Sequence, residues 1–250
     1  MNKIKINAEN IHYRLLNEKI HQALAKGCKN IVLTNVCGQR YIGDGLDGNG
    51  IQLSINGIPG NDLGAFMNGP EIIVNGNVQD GTGNTMNAGQ IIVDGNAGDI
   101  AGHSMRGGRI FIRGDAGYRV GIHMKAYKEM FPVVIIGESA RDFLGEYMAG
   151  GLLVVLGLDT ETDKTSSIVG DFIGTGMHGG NIFIRGTIDE RCLGKEVKIS
   201  KPTDEDYNLL KKHLSDYCKY FNLTLNNILK KDFIKLYPYT HRPYGRFYAY

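Results

Sequence analysis

The sequence predicts a mainly β fold: a single-stranded, right-handed parallel β-helix with coils of about 19 residues, preceded by a helical cap and followed by a helical tail. Two repeating features carry this prediction. One is a unit made of an apolar residue, glycine, two variable residues, methionine, one variable residue and then glycine or alanine, first complete at residues 63–69. The other is a short β-branched run that follows each unit and ends in glycine.

The glycine–methionine unit is complete in six copies, and six of the eight methionines in the chain occupy its methionine slot. A degenerate earlier copy has Leu46 in that slot. We predict that the glycines form corners with positive φ and that the unbranched methionines stack inside the coils. The paired positions are Gly64 and Met67, Gly83 and Met86, Gly102 and Met105, Gly121 and Met124, Gly145 and Met148, and Gly174 and Met177.

The spacing of the closing glycines excludes the commoner repeat folds. Glycines 57, 76, 95, 114, 137, 157 and 186 are 19, 19, 19, 23, 20 and 29 residues apart. This period is too short for tetratricopeptide, ankyrin or WD40 units, and the leucine-rich pattern is absent. The handedness follows from the rule for parallel crossovers. Residues 43–48 and 174–179 match the dinucleotide pattern GxGxxG, but a strand follows each rather than a helix.

The order of elements divides the chain into three segments. Residues 1–29 are predicted to be an N-terminal helical cap, with an amphipathic helix over about residues 9–26 that ends at Gly27. Residues 30–202 form the β-helix. Residues 203–250 form a tail that is helical through residue 234 and then aromatic. Two coils carry insertions, near residues 126–132 and 158–167, which are either contact loops or tolerated surface loops.

An apolar stripe on the outer surface is the main candidate site. In each strand the residue between two inward aliphatic positions should point outward, yet almost all of these residues are apolar. Such a stripe needs a cover, either the terminal helices of this chain or another subunit. The candidate interface residues are Ile73, Ile92, Phe111, Val134, Val154 and Phe183, extended by Ile136 and Leu156.

No known catalytic motif accompanies the repeat. His103, His123 and His178 fall on different rows, so we expect corner polar residues rather than a ligand column. Arg113 and Arg185 share a slot that should face outward, with an anion-binding pair as the alternative. The four cysteines are scattered without a CxxC pair, and the net charge is +2. We therefore expect no catalytic residue, metal or cofactor on this chain, no nucleic-acid or membrane partner, and a cytoplasmic location.

Several segments resemble one known family. They are the glycine-x-x-methionine rows with residues 65–66, the run of residues 145–157, the last coil at residues 174–180, and the tail at residues 210–214, 228–229 and 233–238. Together they resemble the C-terminal β-helix domain, called the GXGXG domain, of the large subunit of glutamate synthase. The β-helical subunit of formylmethanofuran dehydrogenase is similar in its coils, whereas the tail favours glutamate synthase.

The resemblance implies a scaffold without catalytic residues. In glutamate synthase this domain packs a glutamine-hydrolysing amidotransferase against an FMN-binding barrel, and FMN and iron–sulfur centres would lie on those partner subunits. This chain departs from the family pattern, since it has neither a cysteine nucleophile after Met1 nor a barrel. We therefore expect a separate scaffold subunit of a split glutamate synthase. The alternatives are a β-helix subunit of another oxidoreductase such as formylmethanofuran dehydrogenase, or an independent binding or enzymatic solenoid; a homo-oligomer is also possible.

Overall fold

In the part of the chain that the structure describes, nine parallel strands stack in chain order and form one wall of a parallel β-helix, as predicted. The computed structural model describes residues 3–159 and 167–239. Neighbouring strands pair at the repeat distance, so that Ile72 lies beside Ile91 and Ile91 beside Ile110. The strands are β1 (Lys3–Asn7), β2 (Asn30–Cys37), β3 (Gln52–Ile58), β4 (Asn68–Asn75), β5 (Ala88–Val93), β6 (Arg109–Ile112), β7 (Val133–Ile136), β8 (Ala149–Val155) and β9 (Gly179–Arg185).

The methionine stack lies inside the coils. All six methionines of the repeat are 0–1% exposed, and Leu46 in the degenerate copy is 4% exposed. They join one core cluster with the inward aliphatic residues of the strands. The interior position predicted for this slot is therefore confirmed.

The glycines of the repeat adopt the left-handed conformation. Gly64, for example, has a φ of 65°, and a Cβ built on it would lie 2.7 Å from Cδ1 of Ile91 in β5. Gly83 repeats the arrangement with a φ of 70° and Cδ1 of Ile110 at 2.4 Å. Both the backbone conformation and the neighbouring isoleucine side chain favour glycine at this corner.

Short polar side chains connect successive coils at the corners that follow the strands. Oδ1 of Asn77 accepts from the backbone N–H of Asn96, and Oδ1 of Asn96 accepts from that of Asp115, both at 2.9 Å. Asp80 does the same for Asp99 at 2.9 Å. These bonds satisfy backbone donors at corners where no strand ladder is available.

The N-terminal segment is a strand followed by a helix, not a helix alone. β1 pairs in parallel with β2 and so adds a further coil to the sheet. Helix α1 (Tyr13–Ala25) begins later than predicted, with the ring of His12 accepting from the N–H of Arg14 at 3.4 Å. α1 buries Leu16, Ile20 and Ala23 in the core. The strand was missed because its five residues give a weak alternating signal beside two lysines.

The tail combines helices with a strand. Helix α2 (Asp204–Phe221) starts at a capping box formed by Thr203 and Asp206, and helix α3 (Leu225–Ile228) follows. The prediction that helical structure continues through residue 234 is wrong. Phe233–Pro238 forms strand β11, which pairs antiparallel with β9 and with β10 (Val197–Ser200). Pairing with β9 satisfies the backbone groups that the last coil would otherwise leave open.

The two insertions have different outcomes. In the first, Tyr127 and Met130 form an antiparallel bridge, which makes a small hairpin. The second lies mostly outside the described residues, as does the aromatic tail from residue 240 onward. Within the described parts of the chain, no helix is long and apolar enough to cross a membrane.

Candidate functional site

The outward row of the sheet differs from the prediction in one coil. The paired positions run from Ile92 to Phe111, Ile135, Val154 and Phe183. Val134 therefore points inward and belongs to the interior core, so its assignment to the stripe is wrong. Ile136 also points inward, so its assignment to the stripe is wrong as well.

The one-residue error has a physical cause at the closing glycine of this coil. Gly137 lies beside Arg113, one position earlier than the closing glycine Gly114. Gly114 instead meets Glu138, whose N–H donates to the Gly114 carbonyl at 3.1 Å. A Cβ at Gly137 would lie 2.5 Å from the hydroxyl of Tyr217. A Cβ would also meet the backbone carbonyl of Arg113 in the preceding coil, which is the closer contact, so glycine is required here. Counting back from this glycine shifts every strand residue by one.

Helix α2 covers the outward row. Phe111, Val154 and Phe183 are fully buried, and the ring of Tyr217 meets Phe111 edge-on with centroids 5.6 Å apart. Ile73, near the end of the cover, is only partly buried. The cluster also includes Leu210, Leu214, Cys218, Phe221, Ile228 and Phe233. Of the two covers that the sequence allows, the chain's own tail is the one present, so these residues form a second core and not an open interface.

A polar seam holds α2 in register on the strands. Nη1 of Arg109 donates to Asp216 at 2.6 Å, and Nη2 donates to Oε1 of Gln90 at 3.0 Å. One helical turn further, the hydroxyl of Tyr220 donates to Glu71 at 2.6 Å. Arg109 and Gln90 are one coil apart, but no sequence signal could have found the pairs of Arg109 with Asp216 and of Tyr220 with Glu71. The partners in these two pairs are more than a hundred residues apart and belong to different segments of the chain.

Four exposed aromatic residues, Tyr41, Phe66, Tyr147 and Phe172, lie at left-handed corners of the coils. We call this surface the turn face, and we define it by Tyr41, Phe66, His103, Arg119, His123, Phe143, Tyr147 and Phe172. Except for His103, these residues have φ between 52° and 63°. Bulky residues are rare there, at a cost of about 1–2 kcal/mol each. Phe66 and Phe172 are 54% exposed and Tyr147 is 46% exposed.

Contacts between coils order the side chains of the turn face. The rings of Phe143 and Phe172 stack with centroids 5.0 Å apart. The guanidinium of Arg119 lies 4.5 Å from the ring centroid of Phe143 and donates to Glu146 at 2.6 Å. The turn face is therefore a pre-ordered surface with both aromatic and charged groups.

Two histidines meet within the turn face although they occupy different rows. The rings of His103 and His123 have centroids 6.1 Å apart, and His123 stacks on Tyr147 at 5.3 Å. Nδ1 of His103 lies 3.2 Å from Oδ1 of Asn84. Burial and then the charge of His123 lower the pKa of His103. Among the described residues, no group of three or more His, Cys, Asp or Glu side chains could hold a metal ion.

The two arginines of the shared slot have different environments. Arg113 remains largely exposed and pairs with Asp94 at 2.7 Å. Arg185 is buried, and its Nε donates to the carbonyl of Ile228 in α3 at 2.8 Å. Arg185 therefore faces outward from the coil as predicted, but the tail covers it and buries it.

Three comparisons place this architecture among known proteins. The model of the GXGXG motif family matches residues 18–239. An uncharacterized protein of Methanocaldococcus jannaschii is 49% identical over 254 aligned residues, which cover 100% of this chain and 97% of that protein. A similar solved chain belongs to the formyltransferase/hydrolase complex of Methylorubrum extorquens, determined in complex with methylofuran. Its TM-score is 0.64 at 20% identity, with 91% of both chains covered, which establishes a shared fold.

Proposed function

This chain belongs to the GXGXG family, and from that membership we propose that it is a non-catalytic β-helix subunit of a multi-subunit enzyme. In this role it docks the catalytic subunits and holds them in a fixed relation. FMN, iron–sulfur centres or other cofactors of the parent enzyme would then lie on those partners.

The observation that carries the proposal is the turn face. Phe66, Tyr147 and Phe172 are about half exposed on it, on a backbone that the stacked coils hold rigid. Aromatic residues are enriched at protein interfaces, because they bury a large area at a small cost in conformational entropy. Exposed apolar patches of this kind commonly mark a site of protein interaction. The turn face therefore suits a lasting contact with another subunit.

One candidate parent enzyme transfers one-carbon groups. The similar solved chain is part of a formyltransferase/hydrolase complex, and the similarity extends over 91% of this chain. We propose that this chain serves an enzyme of that kind or the related formylmethanofuran dehydrogenase. The shared fold is the observation that favours it.

The second candidate parent enzyme is a split glutamate synthase. Here the chain would dock a glutamine amidotransferase and an FMN-binding synthase subunit. The observation that favours it is the tail, whose residues 210–214, 228–229 and 233–238 resemble the closing segment of the glutamate synthase domain. In the structure these residues supply the α2 cover and strand β11.

Purification of the tagged chain from its native source, followed by mass spectrometry, tests the proposal and separates the two parents. We expect stoichiometric partner subunits. An amidotransferase with a flavin-containing synthase would identify glutamate synthase, whereas formyltransferase and hydrolase subunits would identify the one-carbon enzyme. Recovery of the chain alone at its monomer mass, under mild salt, would contradict the subunit role.

A further inference from the structure

Strand β1 ends the sheet at the N-terminal side of the solenoid. Within residues 3–159 and 167–239, no strand pairs with its other side. The N–H of Ala8 donates to the carbonyl of Thr34 in β2 at 2.8 Å. In a parallel ladder alternate residues turn toward the same neighbour. The backbone groups of Ile4 and Ile6 therefore point toward β2, and those of Lys3, Lys5 and Asn7 point away from the sheet.

The interior core is unfinished at this edge. Ile4, Ile31, Leu53 and Ile72 stand in one column across the first four strands. The last three are 0–1% exposed, whereas Ile4 is 39% exposed. A further strand on β1 would continue the column and bury this side chain.

A positively charged groove runs along the same edge, between β1 and α1. Its volume is about 350 Å³. Lys5 lines it from the strand, Lys19 from α1, and Lys26 from the position that follows the end of α1. No carboxylate is among the lining residues. The neighbouring acid on the helix, Glu18, lines a different cavity together with Asp44.

We propose that this edge binds an extended acidic segment of a partner protein by β-strand addition. The backbone of that segment would pair with the outward groups of β1. Its alternate side chains would divide between the two sides, with carboxylates toward the lysines and apolar groups over Ile4. This proposal rests on the proposed function in one respect, because we take the acidic segment to come from another subunit of the complex.

Charge argues against the two other occupants. A second copy of the chain would place lysine-bearing strands side by side, and like charges on adjacent strands are destabilising. The chain's own last residues carry Arg242 and Arg246 and no acidic residue within residues 240–250. Both occupants would bring positive charge to a positive groove.

A peptide-binding measurement tests the edge directly. The probes are a fluorescein-labelled peptide of alternating glutamate and valine, slightly longer than β1, and its lysine–valine counterpart, measured by fluorescence anisotropy. We expect the acidic peptide to bind at least about tenfold more tightly, with affinity falling as salt increases. Equal binding of the two peptides, or dimerisation of the chain through β1 seen by sedimentation, would overturn the proposal.

Two variants locate the binding. Lys5→Pro removes an N–H that points away from the sheet, so β1 keeps its bonds to β2 while the edge is blocked. Lys5→Glu with Lys26→Glu reverses the groove charge without a backbone change, and it serves if the proline variant does not fold. We expect both variants to weaken binding of the acidic peptide by about tenfold or more.

The matched control is Lys211→Glu, at an exposed position of α2, which should leave binding unchanged. Undiminished binding by folded edge variants would refute the site.

Purification from the native source separates this proposal from the subunit role. If the wild-type chain recovers partners and the edge variants lose one of them, both are supported. If the edge variants recover every partner, the edge proposal fails and the subunit role stands. If the wild-type chain recovers none, the subunit role fails and the peptide measurement alone decides the edge.

Discussion

At the scale of single residues, methionines of the repeat pack against glycines of the next coil. A Cβ built on Gly108 would lie 2.5 Å from Cε of Met86, and one on Gly180 would lie 2.5 Å from Cε of Met148. The methyl ends of these two methionines thus pack where the next coil has no side chain. A flexible thioether fits this space better than a branched residue, which explains why the chain concentrates its methionines here.

Met105→Asp places a carboxylate inside the stack and should lower stability by several kcal/mol, because a buried charge loses its hydration. The measurement is the melting temperature by circular dichroism. The control is Arg106→Asp, the exposed neighbour, which should change stability little. Equal melting temperatures for the two variants would show that the slot is not interior.

At the scale of elements, α2 is a cover whose position depends on the sheet beneath it. The buried hydroxyl of Tyr217 donates to the carbonyl of Ile112 at 3.1 Å, and burial raises the pKa of Tyr217. Gly137 leaves the space for this hydroxyl. The ion pair of Arg109 with Asp216 then fixes the turn of the helix that lies over β6.

Phe111→Ser should destabilise the chain by about 3–5 kcal/mol, because it removes a buried ring from the contact between β6 and α2. The melting temperature should fall, and protease should cut α2 faster. Phe66→Ser is the matched control, since it makes the same change at an exposed ring. Intact stability together with lost assembly in Phe111→Ser would restore the outward row as a docking site.

Acid should loosen the α2 cover through His213. Burial first, and then the charges of Lys212 and Arg109, lower the pKa of His213 to about 4, against an opposing effect of Asp216. The ring stacks on Phe131, and its buried Nδ1 has no hydrogen-bond partner among the described residues. An unfolded histidine has a pKa near 6.5, so the unfolded chain binds more protons between that pH and about 4. Stability should therefore fall as the pH falls through this window.

Chemical denaturation at several pH values measures this dependence. The control is His213→Leu, which removes the titrating ring and should make the curve shallower between pH 6.5 and about 4, while the lowered pKa of His103 keeps its own contribution. The depressed pKa of Asp216, caused first by its bond to Lys219, contributes only at lower pH. A wild-type curve identical to that of the leucine variant would rule out His213 as the source.

At the scale of the whole molecule, the chain covers some surfaces of the solenoid and leaves others open. The tail covers the strand wall, and β11 and β10 continue the sheet beyond the last coil. The turn face and the edge of β1 stay open within the described residues. In the proposed scaffold role, these two open surfaces would hold two partners at once.

The triple variant Phe66→Ser, Tyr147→Ser and Phe172→Ser should abolish assembly without unfolding the chain. Each exposed ring that becomes an interface anchor can carry about 2 kcal/mol or more of binding. Co-purification from the native source measures assembly, and the melting temperature measures folding. Ile58→Ser, at an exposed site away from the turn face, is the control and should keep its partners. Full assembly of the triple variant would exclude the turn face.

The sequence by itself determined the β-helix and its interior. Neighbouring coils meet at a nearly constant sequence distance, so each contact along the stack, such as Met67 beside Met86, appears as a periodic pattern. Where that period changes the prediction fails, as at Gly137, where one early glycine displaced Val134 and Ile135 by one position. The sequence does not predict the short alternating segments β1 and β11 as strands, because neither belongs to the repeat.

Only the tertiary structure decided what covers each face. Arg109 meets Asp216, and Phe111 meets Tyr217, across more than a hundred residues, and no periodicity joins such partners. The turn face likewise depends on left-handed backbone at Phe66 and Tyr147, a conformation that stacking imposes on residues that rarely adopt it. Contacts at a repeated distance are visible in sequence, whereas contacts made once depend on how the chain folds back on itself.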